Sequence, residues 1–401
     1  MSGSDQHSRI VGAALLATIA MSAMLPAIPA LAADCREVHL TDASTGAVLR
    51  GIEDMTWHAP SKRILLSAHD RRADTDSDEA VANGIYGLSF PRLKREFIEV
   101  SRPIALPVPN LTELFQETAP LHPHGITLWE PELPRAGFLD QPVGRQVGRL
   151  MVINHRAPGQ ERRDDGTPGT SIEAFFVAPN GELDHEATYA HADICAANDL
   201  DAMDKDTVIV SLDRGACGGF SAFFELLLGR DRAKVARVDI TRADAPEVLD
   251  DGLSFANGVL IRGGEQPMVF VAETEADRIR RYDLVDGRLK RPATLIPVPG
   301  GPDNLDEDAD GNLLTAVHPD TVGLYLYMHG VPFFGSAPAR LLSIDTGNPG
   351  GCTVLHDDPE GDPFSGATGV LRIEDMLIAG SVTDDGLLLC RAPTNAPACA
   401  E

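Results

Sequence analysis

Short apolar runs broken by turn residues repeat along most of the chain. Residues 63–67, 148–154, 171–177, 207–212, 268–273, 312–317, 340–344 and 376–380 each carry several apolar side chains, with Gly, Pro, Asp or Asn at or near most ends. Runs of this length with such ends predict β-strands joined by turns. One stretch departs from the rhythm. Residues 218–229, with Phe220, Phe223, Phe224, Leu226, Leu227 and Leu228, predict a short helix, and Arg230, Arg232 and Lys234 follow closely. It is expected to pack over the rim of the β fold; its sharper alternative is an apolar lid that shapes a hydrophobic substrate site or makes peripheral contact with a membrane.

Composition narrows the class. The 401 residues are 43% hydrophobic with 37 Gly and 29 Pro, which favours an all-β domain of many short strands. No polar stretch is long enough for an interdomain linker, so residues 33–401 are read as one domain. A formal charge of -26 argues against nonspecific nucleic-acid binding, which relies on basic patches. At the N-terminus, Arg9, the apolar run to Leu25 and the Ala30-Leu31-Ala32 site read as a signal peptide over residues 1–32, predicting a periplasmic or secreted protein. A membrane anchor fits less well, because Pro26 and Pro29 interrupt a run already short for a bilayer. Export makes disulfides among the six cysteines plausible. Pairing Cys35 with Cys390 would join the two chain ends and close a ring, with Cys399 as the rival partner; the spacing leaves Cys195, Cys217 and Cys352 open.

The candidate chemistry lies in six short stretches: Gly-Ile-Glu53-Asp54, His122-Pro-His124-Gly-Ile126, Val-Ile-Asn-His155, Ala-Asn198-Asp199-Leu, Phe-Ala-Asn257-Gly and Asp303-Asn304. Together they offer Glu, Asp and Asn oxygens, the hard ligands that Ca²⁺ prefers. Polar groups delivered singly from segments about 40 to 50 residues apart suit a β-propeller, whose blades each send one loop to a central channel. Other motifs fail. The acidic run from Asp306 to Gly311 opens like an EF-hand, yet Val317 stands where the last carboxylate is required; Asp310-Gly311 reads as a turn entering a strand. Asp74, Asp76 and Asp78 fail the same test and read as a solvated loop. His122 and His124 alone are a weak zinc signal, and no Gly-x-Ser-x-Gly elbow is present.

In order and context the six stretches resemble those of the paraoxonase/arylesterase family, with support from residues 269–273, His318-Pro319 and the closing Leu-Leu-Leu-Cys390. The likeness runs from about Cys35 to Cys390. It implies a six-bladed β-propeller with a short helix over the active-site face and two bound Ca²⁺, hydrolysing lactones and aryl esters, with some members acting on organophosphate triesters. By position, Glu53, Asn198, Asn257, Asp303 and Asn304 would hold a catalytic Ca²⁺. Asp54, Asp199 and the Ile126 carbonyl would hold a structural one. His124 and His155 match the family's proposed dyad, His318 a further pocket histidine, and Asp213 an active-site carboxylate. Neighbouring residues on an extended segment point to opposite sides, so Glu53-Asp54 and Asn198-Asp199 can each serve both ions. Arg214 stands where the family often has His, and an acidic insertion lies within residues 61–90. A sugar lactonase of the gluconolactonase/regucalcin type and a non-catalytic calcium-binding propeller are the alternatives; the second-ion residues speak against the first, His124 and His155 against the second.

Overall fold

The structure is a computed structural model describing residues 34–71, 82–99, 104–116, 121–131, 148–155, 169–215, 217, 231–331, 333–348 and 351–399. The expected signal peptide and the apolar helix at 218–229, with its membrane contact, lie outside the described residues, as do Asp74, Asp76 and Asp78. The strands form six sheets, each beginning with an inner strand and building outward through antiparallel neighbours. The inner strands are Ile52–His58, Pro123–Trp129, Ala197–Ala202, Ala256–Arg262, Gly301–Glu307 and Ala367–Ile373. This is a six-bladed β-propeller. Among the described residues α-helix is confined to Phe90–Glu99, Glu113–Gln116 and Thr321–Met328.

The apolar runs became the strands they predict. Thr207–Leu212 and Met268–Glu273 match to the residue, Gly148–His155 and Met376–Ser381 run one position further at the end, and Leu313–His318 is shifted by one position from the expected run. Gly311 takes a positive φ of 83°, and Asp308 Oδ1 accepts the Asp310 and Asn312 amides. That turn feeds Leu313–His318, as its Asp-Gly chemistry requires. The core lies between blades. Met151, Ile153 and Ile172 of the second blade pack with Leu200, Val208 and Val210 of the third, and Ile209 and Val235 of the third with Val269 and Val271 of the fourth. Each such fully buried side chain contributes about 1.5–3 kcal/mol against exposure.

The ring closes by joining its ends. Cys35–Asp42 adds to the last blade beside Leu387–Arg391, with Cys35 opposite Cys390, and Ile104–Val108 extends that sheet in parallel. The Cys35–Cys390 disulfide locks the junction across 355 positions. In the chain-entropy account, a loop this long is worth on the order of 5 kcal/mol. Cys399, the rival partner, is bound to Cys352, and Cys195 to Cys217. Three disulfides fit an oxidising, exported environment. No helix among the described residues is long and apolar enough to cross a membrane.

Candidate active site and metal centre

Every inner strand breaks register against its neighbour at its axial end. The breaks fall between Ile52 and Asp54, Pro123 and Ile126, Ala197 and Leu200, Ala256 and Val259, Pro302 and Leu305, and Ala367 and Gly369. Glu53, His124, Asn198-Asp199, Asn257 and Asp303-Asn304 sit within or at the edge of these breaks. A β-bulge re-aims side chains that a regular pleat would send alternately to two faces. The pairs therefore diverge at bulges, where plain strand alternation was expected. Close approach of the blades also accounts for the motif glycines. A Cβ on Gly125 would lie 2.6 Å from Asp199 Oδ1 and 2.8 Å from the Asn198 carbonyl oxygen, and one on Gly258 would lie 2.5 Å from the Asp303 carbonyl oxygen.

At the mouth, Glu53 is buried and both its carboxylate oxygens are engaged. His124 Nε2 lies 2.8 Å from Oε1, and the Arg71 guanidinium pairs with Oε2. Burial alone would raise the Glu53 pKa, but Arg71 and His124 outweigh it and hold the group at about 2. The Glu53 carbonyl accepts Asn304 Nδ2 at 2.8 Å and Thr368 Oγ1 at 2.7 Å, tying the first blade to the fifth and sixth. The rings of His124 and His155 are 4.9 Å apart. His155 Nδ1 lies 3.4 Å from Thr170 Oγ1, and burial, then the charges of His124 and Arg71, pushes His155 well below the usual imidazole range. His318 Nε2 is 2.8 Å from Asp303 Oδ2. Asp213 ends the strand Thr207–Leu212, 3.3 Å from the Arg214 guanidinium; burial raises its pKa against the opposing pull of Arg214.

Asp213 Oδ1 has no hydrogen bond among the described residues but has the Arg214 guanidinium at 3.3 Å, whereas three further acceptors at this mouth, Asn198 Oδ1, Asn257 Oδ1 and Asp303 Oδ1, have neither hydrogen bond nor ion pair among the described residues. They come from the inner strands of the third, fourth and fifth blades. Their other polar atoms are committed, since Asn257 Nδ2 donates to Thr274 Oγ1 at 3.2 Å, the Asn198 side chain bonds Asp213, and Asp303 Oδ2 meets His318. An unsatisfied buried acceptor costs roughly 1–3 kcal/mol. Oxygens left in this way and facing a carboxylate fit a hard divalent cation.

Below the mouth, a cavity of about 150 Å³ runs down the axis, lined by Asp54, Asp199, Asp201, Asn304 and Asp306 among others. Asp54 Oδ2 accepts the Ile126 amide at 2.6 Å, so Ile126 meets this carboxylate through its N–H. Asp199 Oδ2 accepts the Val259 amide at 2.7 Å. Burial, reinforced by Glu53 and Asp306, raises the Asp54 pKa to about 8, and burial together with Asp54 pushes Asp199 well above the carboxylate range. Such a pair requires a proton or a cation between its members.

The fold thus gathers the sequence-predicted residues into two tiers on one axis. Sequence reasoning missed Arg71, Asp201 and Asp306. The two aspartates each lie two positions beyond a motif residue, and the period-two alternation of strands offered a signal for them. Arg71 had none, since it stands in a connection beside the acidic insertion.

Comparison with known proteins bears on this arrangement. The chain is 34% identical over 105 residues to the adipocyte plasma membrane-associated protein Hemomucin of Drosophila melanogaster, covering 24% of this chain and 17% of that protein. It is 30% identical over 122 residues to protein STRICTOSIDINE SYNTHASE-LIKE 10 of Arabidopsis thaliana, covering 30% and 32%. The matches thus span less than a third of either relative. Among solved structures, a gluconolactonase of Xanthomonas campestris aligns with a TM-score of 0.47 at 17% identity, over 92% of this chain and 99% of that one. A calcium-binding regucalcin of Agrobacterium tumefaciens aligns with a TM-score of 0.43 at 11% identity, over 91% and 99%. The model of the arylesterase family matches residues 168–390. With more than half of its length matched in this way, the chain belongs to the arylesterase family.

Proposed function

We propose that the protein is a calcium-dependent hydrolase of lactones and aryl esters. The observation that carries this reading is the set of three unpartnered buried oxygens, Asn198 Oδ1, Asn257 Oδ1 and Asp303 Oδ1, beside Glu53 and the His124–His155 pair. Glu53, Asn198, Asn257, Asp303 and Asn304 would hold the catalytic ion; Asp54, Asp199 and the Ile126 carbonyl a structural one. When bound, the upper ion would supply Lewis-acid polarisation of the ester carbonyl and a countercharge for the oxyanion.

The remaining chemistry belongs to the chain. His155, kept neutral by its surroundings, and His124 beside it form a proton-accepting pair that draws a proton from water. The hydroxyl adds to the carbonyl carbon, the ester C–O bond breaks, and the pair returns the proton to the leaving oxygen. The products are a carboxylic acid, which releases its proton to solvent to become a carboxylate, and an alcohol, joined as one hydroxy acid where the substrate is a lactone. His318 fixes Asp303 through Oδ2 and leaves Oδ1 for the ion.

A panel of γ-lactones, aryl esters, a phosphotriester and gluconolactone, assayed with Ca²⁺ and after chelation, tests the reading. Calcium-dependent opening of the γ-lactones supports it, full activity in metal-free protein overturns it, and gluconolactone as best substrate moves the assignment to a sugar lactonase.

A further inference from the structure

Arg71 follows the first-blade strand Arg63–Ala68 and enters the site from its rim. Its guanidinium pairs with Glu53, and its charge acts on His69, His155 and Asp213, groups contributed by three different blades. The side chain is 27% exposed, and of its fork only Nη2 meets the Glu53 carboxylate. Arg214, beside Asp213 and 45% exposed, is a second guanidinium at the same mouth. On a chain with a formal charge of -26, two arginine charges thus act on one carboxylate, Asp213.

Glu53 is also a carboxylate assigned to the catalytic ion. An ion there would neutralise the countercharge that Arg71 uses in the ion-free protein, leaving a guanidinium beside a divalent cation in a partly dehydrated site. Like charges so placed repel strongly, and an anionic oxygen group lying between them relieves that repulsion. Guanidinium is suited to the part, because its fork matches the two oxygens of a carboxylate.

We infer that Arg71 is a specificity-determining residue that selects lactones or esters bearing a carboxylate close to the scissile carbonyl. The inference rests on the hydrolase reading above and narrows its substrate class.

The test compares kcat/KM for γ-valerolactone with that for the γ-lactone carrying a carboxylate in place of its methyl group. Wild-type protein should favour the carboxylate. Arg71→Gln should lower the anionic-to-neutral ratio about tenfold or more, Arg71→Lys should recover part of it, and high salt should compress it. An unchanged ratio in Arg71→Gln, or a wild-type preference for the neutral lactone, overturns the inference. If Arg71→Gln does not fold, Arg71→Lys alone decides, because it keeps the charge and loses the fork. Should wild type open neither lactone, calorimetry still tests Arg71, and the hydrolase reading fails only if the aryl esters and other lactones of the panel are also left intact. The hydroxy diacid released by opening the anionic lactone should bind the calcium-loaded protein about tenfold more tightly than it binds Arg71→Gln. Equal binding, or none, overturns the inference.

Discussion

The two tiers of the central channel use the same residue types in opposite ways. At the mouth, the acceptors of Asn198, Asn257 and Asp303 are buried without donors, and imidazoles stand beside the carboxylates. Lower down, each carboxylate has backbone donors. Asp54 takes the Ile126 and Met55 amides, Asp199 those of Val259 and Leu200, and Asp201 those of Ile261 and Ala202 together with the Thr127 hydroxyl. Several of these bonds cross from one blade to the next, so the lower tier staples first to second, second to third and third to fourth. Satisfied acceptors stabilise and unsatisfied ones stand ready for a ligand. The upper tier therefore keeps oxygens open to a ligand, while the lower tier joins neighbouring blades through its carboxylates.

Replacement of Asn257 or Asp303 by Ala should break the upper tier alone. Activity on every ester should fall by about a thousandfold, as expected for loss of the group that stabilises the oxyanion, while the melting temperature changes little. Steady-state kinetics and a thermal melt check both halves; a collapse of stability matching the loss of activity would erase the division of labour. A smaller loss, about a hundredfold on lactones, should follow His124→Gln, because one proton-transfer partner is worth that much. Calcium affinity measured by calorimetry should stay within a few-fold.

Asp199→Ala should do the reverse. It strips the Val259 amide of its partner, so a destabilisation of about 1–3 kcal/mol is expected and should appear in chemical denaturation. If Asp303→Ala proves the more destabilising of the two, the tiers have been assigned the wrong way round.

The smallest effect is in pH. In ion-free protein, burial first and neighbouring carboxylates second raise Asp54 to about 8, and burial raises Asp306 to about 7. Unfolded, both ionise near pH 4. The folded state then binds more protons across that window, so stability falls as pH rises from about 4 to about 8. Glu53, held at about 2, acts in the other sense, and its contribution is lost as pH falls from about 4.3 to about 2. Added Ca²⁺ should flatten the upper limb. Melts of chelated and loaded protein across this range separate the tiers; a flat profile in the chelated protein would show that the lower carboxylates do not hold protons.

Much of this arrangement was legible early, for local reasons. Strand positions followed from apolar runs, because strand burial is a property of a few adjacent residues. The end-to-end disulfide was an expectation with Cys399 as rival to Cys390, and the structure pairs Cys35 with Cys390 and Cys399 with Cys352. Motif glycines were visible as letters, and the cause of Gly125 and Gly258 appeared only with the neighbouring blades in place. Asp201 and Asp306 were within reach of a period-two argument; Arg71 was beyond any, because its partner Glu53 stands 18 positions away and on another strand.

By itself, then, the sequence determined the blades, their order and the roster of hard oxygen donors, and narrowed the closing bridge to Cys390 or Cys399, since each depends on residue type and on spacing along the chain. Tertiary structure decided which of those oxygens are paired. Asp54 finds a donor 72 positions away and Asp199 finds one 60 positions away, whereas Asn198 Oδ1, Asn257 Oδ1 and Asp303 Oδ1 find none among the described residues. Donors and acceptors from different blades meet only after the ring has closed, and the bulges that aim them arise from pairing between strands.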